Sequence, residues 1–269
     1  MAPDLDAYFA RIGHVGNRDP SLATLRALHA RHPVAVPFEN LDVIRGISVR
    51  LDPMSVEQKL VRDRRGGYCF EHNLLFASVL RALGFQVTTL AARVRWQVPP
   101  DVVTPRAHMV LRVDVDDAPW LVDVGFGGLT PTAPVRLDIP DPQTTPHETL
   151  RVTRGGDGHV LQANVGGAWG DVYQIAMDVQ HPVDFELANW YTSTHPASRF
   201  TQNLIVTRAG EHGRRLSLLN RELVERSRDD VQRRTVDTPD QLLDVLASRF
   251  GLDFPTGTRF GSPGTPWPA

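Results

Sequence analysis

Residues Arg65–Asn73 read RGGYCFEHN and contain Cys69, the only cysteine in a chain of 269 residues. The stretch that follows, Phe70–Leu83, has apolar side chains at helical spacing, and Gly84 stands where a helix typically ends. The two glycines before Cys69 would let the chain turn tightly into this helix. The pattern therefore predicts a helix with Cys69 in its first turn.

The start of a helix is a place where a cysteine becomes reactive. Free backbone N–H groups and the helix dipole favour an anion there, and the thiolate is the nucleophilic form of cysteine. A lone cysteine is nevertheless more often a small, buried apolar residue. Position alone leaves both interpretations of Cys69 open, because a nucleophile also needs a base.

Two strand-like segments downstream supply a histidine and an acid. Arg106–Arg112 reads RAHMVLR and Trp120–Gly128 reads WLVDVGFGG, and both alternate as strands do. If Asp116–Asp117 forms a two-residue turn, His108 becomes a diagonal neighbour of Asp123 on one face of the hairpin. Such diagonal pairs lie about 7–8 Å apart, which lets an imidazole meet a carboxylate. A longer turn would change the register and separate the two side chains.

A cysteine, a histidine base and an acid that orients the histidine form a triad for nucleophilic catalysis. Here the chain order is Cys69, His108, Asp123, with the nucleophile on a predicted helix and the other two residues on predicted strands. This is the order and arrangement of papain-like cysteine enzymes. These three side chains are therefore the candidate catalytic residues.

Longer blocks around the three residues closely resemble the arylamine N-acetyltransferase family. The resemblance runs from the N-terminus to about Arg208 and fades beyond it. The joint occurrence of RGGYCFE, AHMVL and VDVGFG makes it specific. The blocks that carry it are, in chain order, Tyr8–Gly13 (YFARIG), Val36–Leu41 (VPFENL), Arg65–Asn73 (RGGYCFEHN), Arg106–Leu111 (RAHMVL), Val122–Gly128 (VDVGFGG) and Asn189–Phe200 (NWYTSTHPASRF).

The resemblance implies an α+β fold with the papain-like arrangement, in three parts. A helical N-terminal domain, residues 1–85, would carry Cys69, and a central β-barrel domain, residues 86–180, would carry His108 and Asp123. Residues 181–269 would form an α/β lid domain. Local patterns agree with this order, since helix-like segments precede short strand-like segments with Gly and Pro turns. The tail, Gly261–Ala269, is rich in Gly and Pro and is expected to be frayed.

The resemblance also implies an activity and a set of binding residues. The reaction would be ping-pong transfer of acetyl from acetyl-CoA, through acetyl-Cys69, to an arylamine or arylhydrazine, in xenobiotic metabolism. Acetyl-CoA would be a co-substrate, with no permanently bound cofactor and no metal. The residues expected to line the amine pocket are Phe38, Phe126, Gly127 and Phe200. Those expected near the CoA thiol arm are Trp96, Thr104, Gly125, Phe126, Gly127 and Phe200.

Composition excludes several other classes of protein. With 41% hydrophobic residues and a formal charge of −2, the chain can bury a sizeable core and shows no electrostatic footprint for nucleic acid or an anionic membrane. One cysteine excludes an internal disulfide and the usual Cys-based zinc sites. The first residues, MAPDLDAYFA, lack a long apolar run, so we expect no signal peptide or membrane anchor and a cytoplasmic location.

Three other functions remain compatible with a cysteine triad. An amide synthase or macrolactam-forming homologue would keep the triad but use a non-CoA acyl donor. A papain-like hydrolase shares the triad order, although the resemblance beyond the triad is to the acetyltransferases. A non-catalytic binding module would leave the three residues without a purpose, and it predicts that replacing Cys69 changes no activity.

Overall fold

The structure is a computed structural model that describes residues 2–156, 158–227 and 230–261. The helix predicted from Cys69 onward is present as α5, and Gly84 follows it with φ 94°, a left-handed conformation that favours glycine. The elements of the first part are α1 (Leu5–Ile12), α2 (Leu22–Ala35), β1 (Phe38–Glu39), α3 (Leu41–Ile44), α4 (Pro53–Glu57) with a π-helical continuation (Gln58–Arg62), and α5 (Cys69–Ala82).

The two glycines before α5 allow close packing, which differs from the tight turn that the sequence predicts. Neither Gly66 nor Gly67 has a positive φ. A Cβ atom on Gly66 would lie 2.1 Å from the Pro37 carbonyl oxygen, and one on Gly67 would lie 2.6 Å from a carboxylate oxygen of Glu71. Only glycine therefore lets strand β1 and helix α5 approach this backbone so closely.

The middle of the chain forms an antiparallel sheet that curls into a nearly closed barrel, and the predicted α+β fold is confirmed. Within the described residues its eight strands lie in the order β5-β4-β3-β2-β9-β8-β7-β6. The strands are β2 (Gln86–Val94), β3 (His108–Val115), β4 (Ala118–Val122), β5 (Val135–Arg136), β6 (Gln143–Thr144), β7 (Thr149–Gly155), β8 (Gly158–Val165) and β9 (Ala168–Val179).

The hairpin of β3 and β4 has the predicted register. Asp116 and Asp117 have φ values of 53° and 55°, as a type I′ turn requires, and this turn matches the twist of the flanking strands. Val115 pairs with Ala118, and the pairing continues to the end of β4. Asp123 follows β4 directly, so it lies at the same end of the hairpin as His108, the first residue of β3.

The last part of the chain adds a second sheet. In the described ranges this sheet has the strand order β1-β10-β11-β12-β13, and Phe38 of β1 pairs with Thr207 of β10. Residues 262–269 of the tail that is expected to be frayed lie outside the described residues. The elements are α6 (Pro182–Thr194), α7 (Arg199–Gln202), β10 (Ile205–Ala209), β11 (Arg215–Leu219), β12 (Glu222–Arg226), β13 (Val231–Thr235) and α8 (Pro239–Val245) with a π-helical continuation (Leu246–Phe250).

Buried apolar side chains form three clusters. One joins the helices of the first part to the face of β3 and β4 that α5 covers. A second fills the interior of the barrel-like sheet, and a third joins α3 to the last sheet and to α8. In the part of the chain that the structure describes, no helix is long and apolar enough to cross a membrane.

Candidate active site

Three elements bring Cys69, His108 and Asp123 together. Cys69 begins α5, and its Sγ lies 3.8 Å from the carbonyl oxygen of Ala107. Nε2 of His108 lies 2.8 Å from Oδ2 of Asp123, and both side chains are almost completely buried. The Cys69 side chain is also among the groups that raise the pKa of His108. Because Nε2 faces Asp123, Nδ1 is the ring nitrogen that could exchange a proton with the sulfur.

Asn73 fastens helix α5 to the hairpin at this point. Its Nδ2 donates to the Met109 carbonyl at 2.8 Å and to Oδ1 of Asp123 at 2.9 Å. Its Oδ1 accepts from the backbone N–H of Val124 at 3.1 Å. The sequence contained one usable signal for this residue, since Asn73 follows Cys69 by four positions and so shares its helix face. The sequence patterns themselves indicate no role for Asn73.

Gly125 lets the end of β4 lie directly against α5. A Cβ atom on Gly125 would be 2.8 Å from Cβ of His72 and 3.0 Å from Cα of Cys69. The side of Gly125 that a Cβ atom would occupy is therefore filled by the helix. Gly127 differs, because its φ is 92° and a Cβ atom there would meet only the ring of Phe38, at 3.5 Å.

The charges at the site favour an ionised pair. Burial alone would lower the pKa of His108, but the charge and hydrogen bond of Asp123, together with Cys69, raise it to about 10. Burial would likewise raise the pKa of Asp123, yet His108, Asn73 and Gly125 hold it below its ordinary value. A protonated imidazole donates from both nitrogens, so with Nε2 directed at Asp123 the proton on Nδ1 is available to a neighbouring acceptor.

The expected aromatic walls form two groups. The ring of Phe126 lies 5.1 Å from that of His108, and Tyr173, which the sequence did not single out, lies 5.0 Å from the same imidazole. On the side of the α5 N-terminus, the rings of Phe38 and Phe200 are 6.0 Å apart. Burial and the charge of Asp123 hold the pKa of Tyr173 well above its ordinary value, so its hydroxyl stays neutral.

Trp96 and Thr104 hold the loop between β2 and β3. The Trp96 ring packs so tightly on β9 that a Cβ atom on Gly170 would be 2.8 Å from it. The Thr104 hydroxyl donates to the Val94 carbonyl at 2.8 Å. These contacts do not involve the cysteine, the histidine or the acid of the site. They place both residues on the loop that leads into His108.

Neutral histidines lie between helices α5 and α2. His72 Nε2 lies 3.2 Å from the Pro37 carbonyl, which can only accept a hydrogen bond, and His72 Nδ1 lies 2.9 Å from His32 Nε2. His32 Nδ1 then accepts from the Tyr8 hydroxyl at 2.8 Å. His29 accepts from the backbone N–H of Asp123 at 3.3 Å. Burial lowers the pKa of His29 and of His72 to about 4, and that of His32 well below its ordinary value.

An ion cluster anchors the first turn of α5 from the other side. Lys59 Nζ lies 2.7 Å from both Asp42 and Glu71, and Arg65 lies 2.7 Å from Glu39. The Glu71 carboxylate also accepts from the Tyr68 backbone N–H at 3.0 Å, which fixes the start of the helix. Across the described ranges, no group of three His, Cys, Asp or Glu side chains is arranged to hold a metal ion.

The chain is similar to one protein family and to several known proteins. Residues 21–258 match the family model described as N-acetyltransferase. The chain is 43% identical over 257 residues to an arylamine N-acetyltransferase of Mycolicibacterium smegmatis, covering 94% of this chain and 93% of that protein. It is 41% identical over 253 residues to an arylamine N-acetyltransferase of Escherichia coli strain K12, covering 94% and 90%.

Solved structures show the same similarity. The arylamine N-acetyltransferase of Mycobacterium marinum superimposes with a TM-score of 0.90 and 41% identity, covering 93% of each chain. The Mycobacterium marinum arylamine N-acetyltransferase in complex with CoA gives a TM-score of 0.89 and 40% identity, again over 93% of each chain.

Proposed function

Because the chain belongs to the arylamine N-acetyltransferase family, we propose that it transfers acetyl from acetyl-CoA to an arylamine or arylhydrazine through acetyl-Cys69. The observation that carries the role of Cys69 is the buried pair of His108 and Asp123, 2.8 Å apart, with Sγ of Cys69 3.8 Å from the carbonyl oxygen of Ala107, the residue before His108. The CoA complex of the similar Mycobacterium marinum enzyme supports acetyl-CoA as the co-substrate.

The first half-reaction forms the acetyl-enzyme. His108 holds the proton of the Cys69 thiol, and the thiolate attacks the thioester carbon of acetyl-CoA. The N–H groups of the first turn of α5 have no upstream carbonyl within the helix, so they are available to the developing oxyanion. The N–H groups of Val124 and Gly125 already donate to Asn73 and Asp123 and do not serve this purpose. The C–S bond to CoA breaks, and the departing sulfur takes the proton from His108.

The second half-reaction transfers the acetyl group to the amine. The amine nitrogen attacks the carbonyl carbon of acetyl-Cys69, and His108, now neutral, accepts the proton that the nitrogen loses. The Cys69 thiolate leaves, which restores the ion pair with the imidazolium. Asp123 accepts the N–H of Nε2 throughout, so that Nδ1 faces the reacting atoms.

We also propose the three-part architecture of the family and a substrate pocket for this chain. Residues 1–85 would hold the nucleophile, residues 86–180 the base and its acid, and residues 181–269 the lid, in the papain-like arrangement. Phe38, Phe126, Gly127 and Phe200 would contact the flat amine, because aromatic rings bind flat apolar groups well. Trp96, Thr104 and Gly125, with Phe126, Gly127 and Phe200, would lie along the CoA thiol arm.

Intact-protein mass spectrometry tests the two half-reactions separately. Mixing with acetyl-CoA alone is expected to add one acetyl group, located at Cys69, and adding 4-aminosalicylate is expected to remove it. A Cys69→Ala variant, the matched control, is expected to gain nothing. If the folded wild-type protein with a reactive thiol gains no acetyl group, acetyl-CoA is not its donor, and an amide-synthase activity with another donor becomes the better proposal.

A further inference from the structure

The backbone N–H of Asp123 lies where the sheet no longer supplies an acceptor. The pairing of β3 with β4 ends at Leu111 and Val122, and in the described residues β5 pairs with β4 only at Trp120 and Leu121. Asp123 is the next residue after β4 and has no exposed surface. A buried N–H group without an acceptor costs free energy, because water cannot replace the missing hydrogen bond. The acid of the site therefore needs an acceptor from outside the sheet.

Helix α2 supplies this acceptor with His29. Nε2 of His29 accepts from the Asp123 N–H at 3.3 Å. The imidazole is completely buried, and the ring of Phe76 on α5 meets it edge to face, with the ring centroids 6.0 Å apart. His29 therefore contacts both the helix that carries Cys69 and the strand end that carries the acid.

The other ring nitrogen of His29 makes no comparable bond. Because Nε2 accepts, the proton of the neutral imidazole must be on Nδ1. The carbonyl of the same residue is near Nδ1, but this buried nitrogen forms no hydrogen bond of acceptable geometry within the described ranges. An apolar side chain of similar size would avoid the cost of burying that N–H group. The bond to Asp123 is thus what a histidine contributes at this position and an apolar residue would not.

The surroundings keep His29 in the form that can accept. Burial lowers the pKa of His29 to about 4, and the negative charge of Asp123 opposes this shift only in part. The other titratable group that interacts with His29 is His32, further along α2, which burial also keeps neutral by lowering its pKa. Above about pH 5, Nε2 of His29 is therefore available as an acceptor.

Resting on the proposed function, we propose that His29 is a positioning residue: it fixes the main chain of Asp123, so that the carboxylate stays directed at His108. Asn73 and the Gly125 N–H hold the carboxylate itself, and His29 holds the backbone from which the carboxylate projects. Without this acceptor, the Asp123 N–H has to turn toward another group, and the carboxylate moves with it. The hydrogen bond to Nε2 of His108 then weakens, and the imidazolium is less stable.

Two substitutions separate the acceptor from the packing of the ring. His29→Gln keeps an acceptor oxygen near the position of Nε2, and His29→Phe keeps a flat ring without an acceptor. We expect kcat for acetyl transfer to fall about 10²-fold in His29→Phe, as it does when a reacting group is misplaced. In His29→Gln, kcat should stay close to the wild-type value. If the larger ring prevents folding, His29→Leu serves in its place. Steady-state kinetics and Tm are measured on each variant.

The pH dependence of Cys69 alkylation by iodoacetamide tests the same role without acetyl-CoA. A less stable imidazolium lowers the fraction of thiolate, so the pH of half-maximal rate should rise by about one unit in His29→Phe. It should stay unchanged in His29→Gln. His32→Phe is the matched control, because it removes another buried imidazole of α2 whose hydrogen bonds go to Tyr8 and His72 instead of Asp123. The Tm of this control should fall, while its pH of half-maximal rate stays at the wild-type value.

Two results would overturn the proposal. A His29→Phe variant with a lower Tm but an unchanged kcat and an unchanged alkylation profile would show that the imidazole only stabilises the fold. Equal changes in His29→Phe and His29→Gln would show that the shape of the ring matters and the acceptor does not. A wild-type protein that acetyl-CoA does not acetylate would contradict the proposed function instead, and the alkylation profiles would still test His29.

Discussion

The carboxylate of Asp123 accepts hydrogen bonds in two fixed directions. Oδ2 faces Nε2 of His108 at 2.8 Å, and Oδ1 accepts from the Asn73 amide and from the Gly125 N–H, both at 2.9 Å. Rotation of the carboxylate would break all three bonds at a site without access to solvent, where each lost bond costs about 1–3 kcal/mol. Asp123 therefore determines which nitrogen of His108 faces the sulfur.

Asp123→Asn is expected to keep the fold and lose most of the acetylation activity. Asn73 and Gly125 both donate to Oδ1, so the new side chain would place its carbonyl oxygen there and its NH₂ group toward His108. Nε2 would then have to accept, and the ring proton would move to Nδ1, where the base is needed. We expect kcat to fall by about 10³–10⁴, measured by steady-state kinetics alongside Tm. An unchanged kcat with an unchanged Tm would show that another group orients His108.

The pair of His108 and Asp123 could be predicted from the sequence because a two-residue turn sets the register of a hairpin. Asn73 could not be predicted in the same way. Its partners Met109 and Val124 lie 36 and 51 residues further along the chain, and no local pattern specifies which strand a helix will cover. Tyr173 was missed for the same reason, since it reaches His108 only because β9 pairs with β2.

At the scale of elements, the site depends on how closely α5 lies against the end of β4. The sequence shows glycines on both sides of this contact, but glycine has two separate uses that the sequence does not distinguish. Gly127 adopts a positive φ, whereas Gly66, Gly67 and Gly125 each lie where a neighbouring segment leaves no room for a Cβ atom. The second use depends on a partner that is distant in the chain.

Gly125→Ala tests this contact. The added Cβ atom would lie 3.0 Å from the backbone Cα of Cys69, so α5 or the strand end has to move. We expect a loss of about 1–3 kcal/mol in the free energy of unfolding, together with a lower kcat, because the distance between sulfur and imidazole changes. Chemical denaturation and steady-state kinetics measure the two effects.

Gly128→Ala is the matched control in the same glycine-rich segment. A Cβ atom on Gly128 would have nothing within 4 Å. The free energy of unfolding of the Gly128→Ala variant should stay within about 0.5 kcal/mol of the wild-type value. If both substitutions give the same small effects, the approach of α5 to β4 is not what positions Cys69.

At the scale of the whole molecule, the first and last parts of the chain are joined at the site. The short strand β1 belongs to the last sheet, and the Asn40 side chain beside it donates to the Phe200 carbonyl at 2.7 Å and accepts from the Ile205 N–H at 2.8 Å. Phe38 and Phe200 meet because of these long-range contacts. The resemblance placed both aromatic residues near the substrate, but local patterns predict neither the pairing of β1 with β10 nor the contact between the rings.

The buried histidines predict the pH dependence of stability. His29, His32 and His72 have pKa values below the ordinary 6.5, so they stay neutral in the folded protein while the unfolded chain binds protons below about pH 6.5. The free energy of unfolding should therefore decrease as the pH falls from 6.5 toward 4. At pH 5.5 each histidine contributes a loss of about 1.4 kcal/mol, or about 4 kcal/mol together.

The catalytic pair does not produce this slope. His108 has a raised pKa, so its contribution to stability is fully present below pH 6.5 and is lost progressively as the pH rises from 6.5 to about 10. Asp123 has a lowered pKa, and its contribution is lost only in stronger acid. Denaturant titrations from pH 7 to 5 measure the slope, and His212→Gln, at an exposed histidine, should leave it unchanged. A flat profile over this range would contradict the assignment of neutral histidines.

Lys59 is the only lysine in the sequence, and its ammonium is enclosed by Asp42 and Glu71, with 17% of the side chain exposed. The positive charges of the surface come from arginine side chains instead, and amine-selective reagents leave arginine unmodified. An N-hydroxysuccinimide ester should therefore label the terminal α-amino group almost exclusively. The molecule is thus suited to attachment of a single fluorophore or to one-point immobilisation through that amine, provided that Cys69, which would also react with an activated ester, is first replaced by alanine.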